Sequence, residues 1–347
     1  MGIYRLILKL RHRAYDSGRR PVAEADVPTV CVGNVTVGGT GKTPHTEMIL
    51  RMLSGYRVAV LSRGYGRKTK GYLEVDPSGL AETYGDEPLQ IARKFPSVRV
   101  VVDEDRVEGC GRLAESDLVV LDDAFQYRAL KASLNIVLVD YLRPVFKDRL
   151  LPFGRLRDLP ERIFEADVLI VSKCPSALSD EQRAAFASGL KLSDYDSATC
   201  CAVTPSGRSV KLLFSRMVYG EPYMVFPEGD SAFLAAKEAV VVSGIARNDV
   251  FLRQVGTLRK VVKAFAFRDH HVFTATDLRG FKYAALEFPR AGFATTEKDA
   301  QRLIGCASLD ASVKGRLYAV PVEAEFLSPA EKDLFAGILE KLVKRGV

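Results

Sequence analysis

The chain has 347 residues, of which 47% are hydrophobic and 27% are charged, as expected for a globular protein of two domains. Its net charge of +7 lies mostly at the N-terminus, because residues 1–20 carry six basic side chains and one acid. This distribution argues against a nucleic-acid partner. The six cysteines form no Cys-x-x-Cys pair, and the sequence has neither a secretory signal nor an apolar run of about 18 residues. These features predict a cytosolic protein with reduced thiols and no bilayer span.

The first predicted element is an amphipathic helix within residues 1–20, which ends near Gly18 and Pro21. Its apolar face contains Ile3, Leu6, Ile7, Leu10 and Ala14, and its basic face contains Arg5, Lys9, His12 and Arg13. Two interpretations are open at this point. The helix lies in the interface of an anionic membrane, or it packs on the domain and exposes a solvated basic face.

A glycine-rich loop follows a predicted strand and precedes a predicted helix. The stretch CVGNVTVGGTGKTP, residues 31–44, ends in the Gly-Lys-Thr of a phosphate-binding loop, although Thr36 stands where that pattern has its first glycine. Backbone N–H groups at the helix start can bind phosphate, Lys42 can reach the β- and γ-phosphates, and the Thr43 hydroxyl can bind Mg²⁺. The predicted nucleotide-binding residues are Thr36, Val37, Gly38, Gly39, Thr40, Gly41, Lys42 and Thr43.

Strands alternate with helices after this loop, which predicts a parallel sheet covered by helices on both faces. The apolar strand LVVLDD ends in Asp122 and Asp123, and such a strand end can place a carboxylate near Mg²⁺. Ligands of these sheets bind at the carboxyl ends of the strands. In this chain those ends are the glycine loop, residues 62–67, the two acids, Asp140 and Lys173.

Three further segments have simpler structural explanations when taken alone. Asp86 in GDEPLQIA is well placed to cap a helix, and RDHHVF, which contains His270, is typical of a polar loop. The basic loop with Arg63, Arg67 and Lys68 either binds an anionic group of an acceptor or is simply solvated. The predicted organisation is a helix in residues 1–20, a nucleotide-binding domain in residues 21–205 and a smaller α/β domain in residues 206–347, whose C-terminal segment can pack back on the first domain.

Seven short motifs occur in one order along the chain, namely VGNVTVGGTGKTP, LSRGYGRK, GDEP, LDDAFQYR, LPFGRLRD, RDHHVF and TTEKDA. Together they resemble the tetraacyldisaccharide 4'-kinase family of Gram-negative bacteria over about residues 1–325. Threonine in place of the first loop glycine is part of that family's pattern. The resemblance implies a P-loop α/β/α sandwich, which a short two-stranded β linker joins to a smaller α/β/α domain, with the active site between the two.

The resemblance also implies an activity. The family transfers the γ-phosphoryl group of ATP to the 4'-hydroxyl of a tetraacyldisaccharide 1-phosphate, a late step of lipid A biosynthesis. The expected cofactors are ATP and Mg²⁺, and the expected partners are the lipid acceptor and an anionic membrane surface, with no obligate protein partner. The expected location is the cytoplasmic face of the inner membrane, with peripheral or monotopic attachment, because this chain begins with only a short basic helix.

Residue roles follow from the same resemblance. Asp86 and His270 correspond to the family's catalytic pair, which acts beside Lys42. Asp122, Asp123 and Asp158 are the expected Mg²⁺ contacts beside Thr43 of the loop. If the acceptor carries a phosphate, the basic residues Arg63, Arg67 and Lys68 could bind it, and a solvated loop remains the alternative. Asp158 replaces the family's usual glutamate and Tyr127 replaces a common histidine.

Two other classes of protein use the same loop and acidic strand end. One is a regulatory GTPase or metal-insertion ATPase, and the other is a membrane-binding ATPase scaffold without a small acceptor. Neither of these two classes requires both an amphipathic N-terminus and an Asp-His-His motif in a second domain. Dependence of turnover on a lipid disaccharide distinguishes the kinase from both.

Overall fold

The computed structural model describes residues 2–344. Its helices are α1 (Ile3–Asp16), α2 (Lys42–Met52), α3 (Ala81–Tyr84), α4 (Asp86–Lys94), α5 (Arg106–Gly111), α6 (Asp180–Gly189), α7 (Asn248–Leu258), α8 (Ala275–Glu287), α9 (Glu297–Ile304), α10 (Ala311–Lys314) and α11 (Pro329–Val343). Its strands are β1 (Ala23–Glu24), β2 (Thr29–Gly33), β3 (Val58–Ser62), β4 (Leu73–Glu74), β5 (Arg99–Val102), β6 (Leu118–Asp122), β7 (Leu130–Lys131), β8 (Leu134–Asp140), β9 (Val168–Ser172), β10 (Ser193–Asp196), β11 (Cys201–Val203), β12 (Ser209–Tyr219), β13 (Tyr223–Met224), β14 (Glu238–Ser243), β15 (Lys260–Ala266), β16 (Gly292–Thr296), β17 (Leu317–Val320) and β18 (Val322–Phe326). Short 3-10 helices span Val145–Lys147, Pro160–Glu165 and Ser231–Ala235.

The first sheet has the order β10-β11-β12-β9-β8-β2-β6-β3-β5-β4. The run from β12 to β5 is parallel, while β4 and the β11–β10 pair form antiparallel edges. Strands β2, β3, β6 and β9 are buried along their whole length, as expected for parallel strands covered on both faces. Neighbouring residues such as Val60 and Leu61 therefore join separate hydrophobic cores on opposite faces of the sheet. The predicted α/β/α sandwich is confirmed.

The second sheet has the order β13-β17-β16-β14-β15 and is parallel except for β13. Phe281 of α8 lies in the core on one face of this sheet, and Phe251 of α7 lies in the core on the other. This is the smaller α/β/α unit that the sequence predicts. We call the part of the chain on the first sheet the first domain and the part on the second sheet the second domain.

Strand β12 connects the two sheets. Its first half pairs in parallel with β9, and its second half, from Ser215 to Tyr219, pairs antiparallel with β18. The chain thus leaves the first sheet after Tyr219 and returns at Val322 along a two-stranded linker. The strand that follows the predicted boundary at residues 205 and 206 still completes the first sheet, so the structure places the end of that sheet a few residues later. The sequence of β12 contains no signal for the sheet to which it belongs.

Helix α11 packs back on the first domain through Phe335, Leu339 and Val343, which are buried in the core of the first sheet. Its first turn carries Glu331, which is almost fully buried. One carboxylate oxygen of Glu331 lies 2.9 Å from Arg183 Nη1 of α6 and accepts a hydrogen bond of 2.8 Å from the backbone N–H of β12. The C-terminal helix is therefore attached to the first domain by a buried ion pair as well as by apolar contacts.

Helix α1 is amphipathic, as predicted, but its apolar face points away from the protein. Leu8 and His12 are buried against the first domain, and the Tyr4 hydroxyl donates a 2.8 Å hydrogen bond to the carbonyl of Arg157. Exposed fractions of the apolar residues are 80% for Ile3, 50% for Leu6, 56% for Ile7 and 55% for Leu10. The helix thus packs on the domain, as one of the two alternatives has it, but through Leu8 and His12 and not through the predicted apolar face. Within residues 2–344, no helix combines the length and hydropathy that a bilayer span requires.

Replacing Glu331 by Ala should lower the free energy of unfolding by about 3–5 kcal/mol, because Arg183 would be left buried without its partner. Urea denaturation measures this loss. Glu340→Ala is the matched control, since Glu340 pairs with Lys344 one turn along an exposed face of the same helix and should change stability by about 0.5 kcal/mol or less. Equal losses in the two variants would contradict the structural role assigned to the buried pair.

Candidate active site

The glycine loop joins β2 to α2, and the helix begins at Lys42. Gly38 and Gly41 have φ values of 96° and 89°, a backbone region in which side chains are strained. The loop leads directly into the N-terminus of α2. The first N–H groups of a helix have no partners within the helix and therefore attract phosphate. This is the strand–loop–helix context that the sequence predicts for a phosphate-binding loop.

Thr36 can replace the first glycine of the loop pattern because the first half of the loop forms β-type hydrogen bonds with another segment. Thr36 forms an antiparallel bridge with Leu156, and the backbone N–H of Val37 donates a 2.8 Å hydrogen bond to the carbonyl of Arg155. Thr36 does not adopt a positive φ. A β-type pairing with residues 155 and 156 thus replaces the turn that the missing glycine would otherwise allow.

The second half of the loop is fixed by buried polar groups. His45 is fully buried, and its Nδ1 lies 2.7 Å from the carbonyl of Gly41 while Nε2 lies 2.9 Å from the Ser215 hydroxyl. Burial lowers the pKa of His45 to about 4, so the ring is neutral and can donate from Nδ1. Asn34 donates a 2.6 Å hydrogen bond to the Thr40 hydroxyl. The loop is therefore held in shape by the first domain itself.

Asp122 and Asp123 lie beside the loop because β6 is the direct neighbour of β2, with Val32 opposite Asp122. Asp122 is buried, and burial together with the charges of Glu87 and Asp123 raises its pKa to about 7. Burial alone would also raise the pKa of Asp123, but the charges of Lys42 and Arg157 hold that pKa below its usual value. The two acids thus have different environments, since within residues 2–344 Asp122 forms no ion pair while Asp123 lies at ion-pair distance from two cations.

The donor set suits Mg²⁺, which prefers oxygen ligands. Asp122 has no ion-pair partner within residues 2–344 and accepts only long hydrogen bonds, 3.5 Å from Thr46 and 3.4 Å from Ser62. A buried carboxylate with a raised pKa is stabilised by a bound cation. Asp123 is already paired with Arg157 and lies 3.7 Å from Lys42 Nζ. Of the two acids, Asp122 is therefore the carboxylate that could hold a metal ion.

Asp158 lies in a different environment from the one expected. It is fully buried, and its carboxylate lies 2.7 Å from His12 Nε2 of helix α1 and accepts a hydrogen bond from the N–H of Leu159. These contacts hold the pKa of Asp158 below its usual value, although burial opposes them. The expected Mg²⁺ contact of Asp158 does not agree with this placement, because its carboxylate already pairs with His12 and thereby attaches helix α1 to the first domain. Only its neighbour Arg157 reaches the acids of the site.

Asp86 and His270 approach each other across the two domains. His270 Nδ1 lies 3.4 Å from Asp86 Oδ2, and the ring packs edge-on against Tyr65 with centroids 5.0 Å apart. Asp86 is the first residue of α4, but the N-cap is Gly85 and Asp86 makes no capping hydrogen bond. The capping interpretation from sequence was therefore wrong. Gly85 has a φ of 95°, which leaves the carboxylate of Asp86 free to face the second domain.

Residues within the TTEKDA motif, and Arg302 two positions after it, complete this cluster, and their roles were missed from sequence. Arg302 Nε lies 3.3 Å from Asp86 Oδ2, and the same guanidinium pairs with Asp299 at 2.6 Å. Lys298 Nζ lies 3.0 Å from His270 Nε2. The motif was the only sequence signal for these two residues. They lie more than 200 residues after Asp86, so the sequence gave no indication that they contact the catalytic pair.

Of the three cations that the sequence singles out in the basic loop after β3, two are paired within residues 2–344 and one is not. Arg67 is nearly buried, with its side chain 2.8 Å from Glu104, and Lys68 lies 2.7 Å from Glu82. Arg63 is exposed and makes no ion pair within the described residues 2–344. Of the three predicted acceptor contacts, the structure leaves Arg63 available, while Arg67 and Lys68 stabilise the loop.

A family model described as Tetraacyldisaccharide-1-P 4'-kinase matches residues 1–343 of this chain. The chain belongs to this family. A tetraacyldisaccharide 4'-kinase of Phocaeicola vulgatus is 35% identical over 356 residues, which cover 99% of this chain and 93% of the relative. One from Parabacteroides distasonis is 38% identical over 344 residues, with coverage of 95% and 89%. A crystal structure of LpxK from Aquifex aeolicus in complex with ATP superposes with a TM-score of 0.71 and 29% identity, covering 99% of this chain and 96% of that one.

Family membership assigns the chain to the 4'-kinase step of lipid A biosynthesis and makes it an ATP-dependent phosphotransferase. The resemblance inferred from seven motifs is thereby confirmed. The alternative of a regulatory GTPase or metal-insertion ATPase is not favoured, since the matches extend through both domains and the linker.

Lys42→Ala should lower kcat by about 10²–10³-fold, because it removes a preorganised charge at the transferring phosphate. The fold should survive, since Asp123 keeps Arg157 as its partner. Steady-state kinetics at saturating ATP, with thermal melting as the check on folding, measure both. Lys131→Ala is the matched control, as Lys131 is an exposed lysine paired with Glu24 away from the loop. Near-normal turnover of Lys42→Ala would contradict the assignment of the loop.

Proposed function

We propose that this site transfers the γ-phosphoryl group of ATP to the 4'-hydroxyl of a tetraacyldisaccharide 1-phosphate, with Asp86 as the general base and His270 as its partner. The observation that carries this proposal is the approach of Asp86 and His270 from separate domains at the edge where β2 and β6 end. Phosphoryl transfer depends mainly on positioning and charge neutralisation, and the site has groups for both.

The first domain supplies the nucleotide side of the reaction. Loop N–H groups and Lys42 are placed to bind the β- and γ-phosphates. Mg²⁺ held by Thr43 and Asp122 would neutralise negative charge on those phosphates when bound. Asp123, which is paired with Arg157, keeps Lys42 close to the loop.

The two carboxylate oxygens of Asp86 have different surroundings. Oδ2 is buried at ion-pair distance from His270 and Arg302, without a hydrogen bond among residues 2–344. Oδ1 has no hydrogen-bond partner within residues 2–344, so it can accept the proton of the sugar hydroxyl. The 4'-oxygen forms its bond to the γ-phosphorus, the bond from that phosphorus to the bridging oxygen breaks, ADP leaves, and the proton passes to Asp86. The contact of 3.4 Å between Asp86 and His270 is loose, and such hydrogen bonds tighten when substrates bind.

The acceptor carries its own phosphate, and Arg63 is the cation best placed to bind it. Arg63 follows β3, whose carboxyl end lies beside that of β6, and it has no competing carboxylate among the described residues. A guanidinium binds phosphate through two parallel hydrogen bonds. Arg63 would thus orient the lipid while Asp86 acts on its other sugar.

Helix α1 gives a physical basis for work on a lipid substrate. Its exposed residues Ile3, Leu6, Ile7 and Leu10 form one apolar stripe, and Arg13, Arg19 and Arg20 are exposed nearby. An apolar face with adjacent cations binds anionic membranes. We place the enzyme at the cytoplasmic face of the inner membrane, attached through this face of α1.

Asp86→Ala and His270→Ala should each lower kcat by about 10²-fold or more if they act in general base catalysis. If the two residues act as one unit, the double variant should be little slower than the slower single variant. Initial rates at saturating ATP and acceptor provide the comparison. Multiplicative losses would show two independent roles and would argue against the pair.

His271→Ala serves as the control for the dyad. His271 pairs with Asp277 at 2.9 Å and stacks on Phe267, so its loss should lower thermal stability and leave kcat within a few-fold. Asp86→Ala should show the converse, with kcat reduced and little loss of stability, because Asp86 caps no helix.

The double variant Ile7→Asp/Leu10→Asp should weaken binding to anionic vesicles by at least tenfold, because it places charges on the apolar stripe while leaving Leu8 and His12 in place. Vesicle flotation at low and high salt measures the binding, which should also weaken for the native chain as salt rises. ATP affinity should be unchanged, and the apparent KM for the lipid acceptor should rise.

The matched control is Leu258→Asp/Leu286→Asp, which changes two equally exposed leucines of the second domain. Equal flotation of both double variants and the native chain would show that the membrane contact lies elsewhere on the protein.

A further inference from the structure

Lys298 occupies a position between the two domains that the proposed reaction does not yet use. It is the second residue of α9, its side chain is only 18% exposed, and its ammonium faces three groups. Nζ lies 3.0 Å from His270 Nε2, 3.3 Å from Asp269 Oδ1 and 3.4 Å from Glu87 Oε1. Two carboxylates therefore stabilise its positive charge, and the nearest of the three atoms is a ring nitrogen of the catalytic pair.

The chemistry of this contact defines the state of the imidazole. A lysine ammonium carries three donors and no acceptor, so a nitrogen that faces it at 3.0 Å must accept. Nε2 of His270 is therefore without hydrogen. A neutral imidazole with an unprotonated Nε2 carries its hydrogen on Nδ1, and Nδ1 is the atom that faces Asp86. The ring can then only donate to that carboxylate.

We propose that Lys298 is a positioning residue that holds His270 as the neutral tautomer with its hydrogen on Nδ1, so that His270 donates to Asp86 and Asp86 alone accepts the proton of the sugar hydroxyl. This inference rests on the proposed role of Asp86 as the base. It assigns separate roles to the two residues of the pair, with His270 as donor and Asp86 as acceptor, and it assigns Lys298 of the second domain to maintaining those roles.

The other charged groups that face the ring are carboxylates, and their effect on the imidazole is opposite to that of Lys298. Asp86 on α4 lies 3.4 Å from the ring and Asp269 on the same loop lies 3.9 Å from it, and both carboxylates favour the protonated imidazole. Lys298 is closer than either. Tyr65 contributes an uncharged ring at 5.0 Å, and Arg302 neutralises part of the charge of Asp86. Without Lys298, the ring would lie between two carboxylates and no cation of its own.

A protonated His270 would impair the base. An imidazolium beside Asp86 forms an ion pair with it, and a carboxylate in an ion pair is a weaker proton acceptor. A neutral donor orients Asp86 without lowering its basicity to the same extent. The backbone supports this arrangement, since His270 has a φ of 56°, uncommon for a residue with a side chain, and its N–H donates to Asp269.

Nitrogen-15 NMR of the histidine rings tests the tautomer directly and does not depend on activity. The chain has four histidines, and the spectrum of His270→Gln identifies the signals of His270 by their loss. The expected result for the full-length protein between about pH 6.5 and 8 is a protonated Nδ1 and an unprotonated Nε2. A ring with its hydrogen on Nε2, or one doubly protonated over that range, would overturn the proposal.

Kinetics of Lys298→Met test the consequence. This variant keeps the length of the side chain and removes its charge, so the contact that fixes the tautomer is lost and the acid limb of kcat should move to higher pH. At pH 7 we expect kcat to fall about tenfold, with little change in KM for ATP. Lys298→Arg retains the charge and should keep the acid limb near its original position, which a merely structural lysine would not require.

Lys282→Met is the matched control, because Lys282 is an exposed lysine of the same domain that pairs with Asp310. An unchanged pH profile in Lys298→Met would contradict the positioning role. Failure of the proposed function is separate, since it would appear as normal turnover in Asp86→Ala while the tautomer in the NMR spectrum remained as expected. If Lys298→Met does not fold, the spectrum of the native protein still decides the question.

Discussion

The active site depends on one buried ion-paired contact between the two domains. Lys94 of α4 lies 2.7 Å from Glu47 of α2 and 2.9 Å from Glu297 of α9, and both carboxylates are almost fully buried. Burial raises the pKa of Glu47, with a further rise from the charge of Glu297, and Lys94 opposes that rise. Removing one member of such a buried network leaves uncompensated charge, so the relative position of α4 and α9 is strongly specified. Asp86 begins α4, and Lys298 and Arg302 lie on α9, so this contact also determines whether the base meets its partners.

A second chain of contacts connects helix α1 to the nucleotide side. His12 of α1 pairs with Asp158, and the adjacent Arg157 pairs with Asp123 and donates a 2.6 Å hydrogen bond to the side chain of Asn34 at the start of the glycine loop. Two consecutive residues thus hold the helix on one side and the acidic strand end on the other. The contacts that attach α1 to the first domain are part of the scaffold of the site, so removing the whole helix would disturb the site, whereas changes to its exposed face would not.

Much of the fold can be predicted from short local patterns in the sequence. Continuous apolar strands, a Gly-Lys-Thr loop and a strand ending in two acids predict a parallel sheet with its ligand edge at those residues, and the parallel pairing of β2 with β6 confirms the sheet. The remaining features depend on contacts that spacing cannot reveal. Asp86 has the sequence of a helix cap, yet Gly85 takes that position because its φ of 95° suits the turn. Asp158 stands in a metal-site motif but pairs with a histidine almost 150 residues earlier in the chain. The first half of β12 could belong to either sheet until its partner β9 is known.

The central claim is that the site assembled between the domains transfers phosphate to an acceptor and does not simply hydrolyse ATP. The most direct test incubates the native chain with ATP labelled in the γ-phosphate and Mg²⁺, with and without tetraacyldisaccharide 1-phosphate in mixed micelles, and follows the label in lipid and in inorganic phosphate. We expect ATP consumption to depend on the acceptor and the label to appear in the lipid at the 4'-position. Release of labelled inorganic phosphate at the same rate with and without the acceptor, and none in the lipid, would contradict the account.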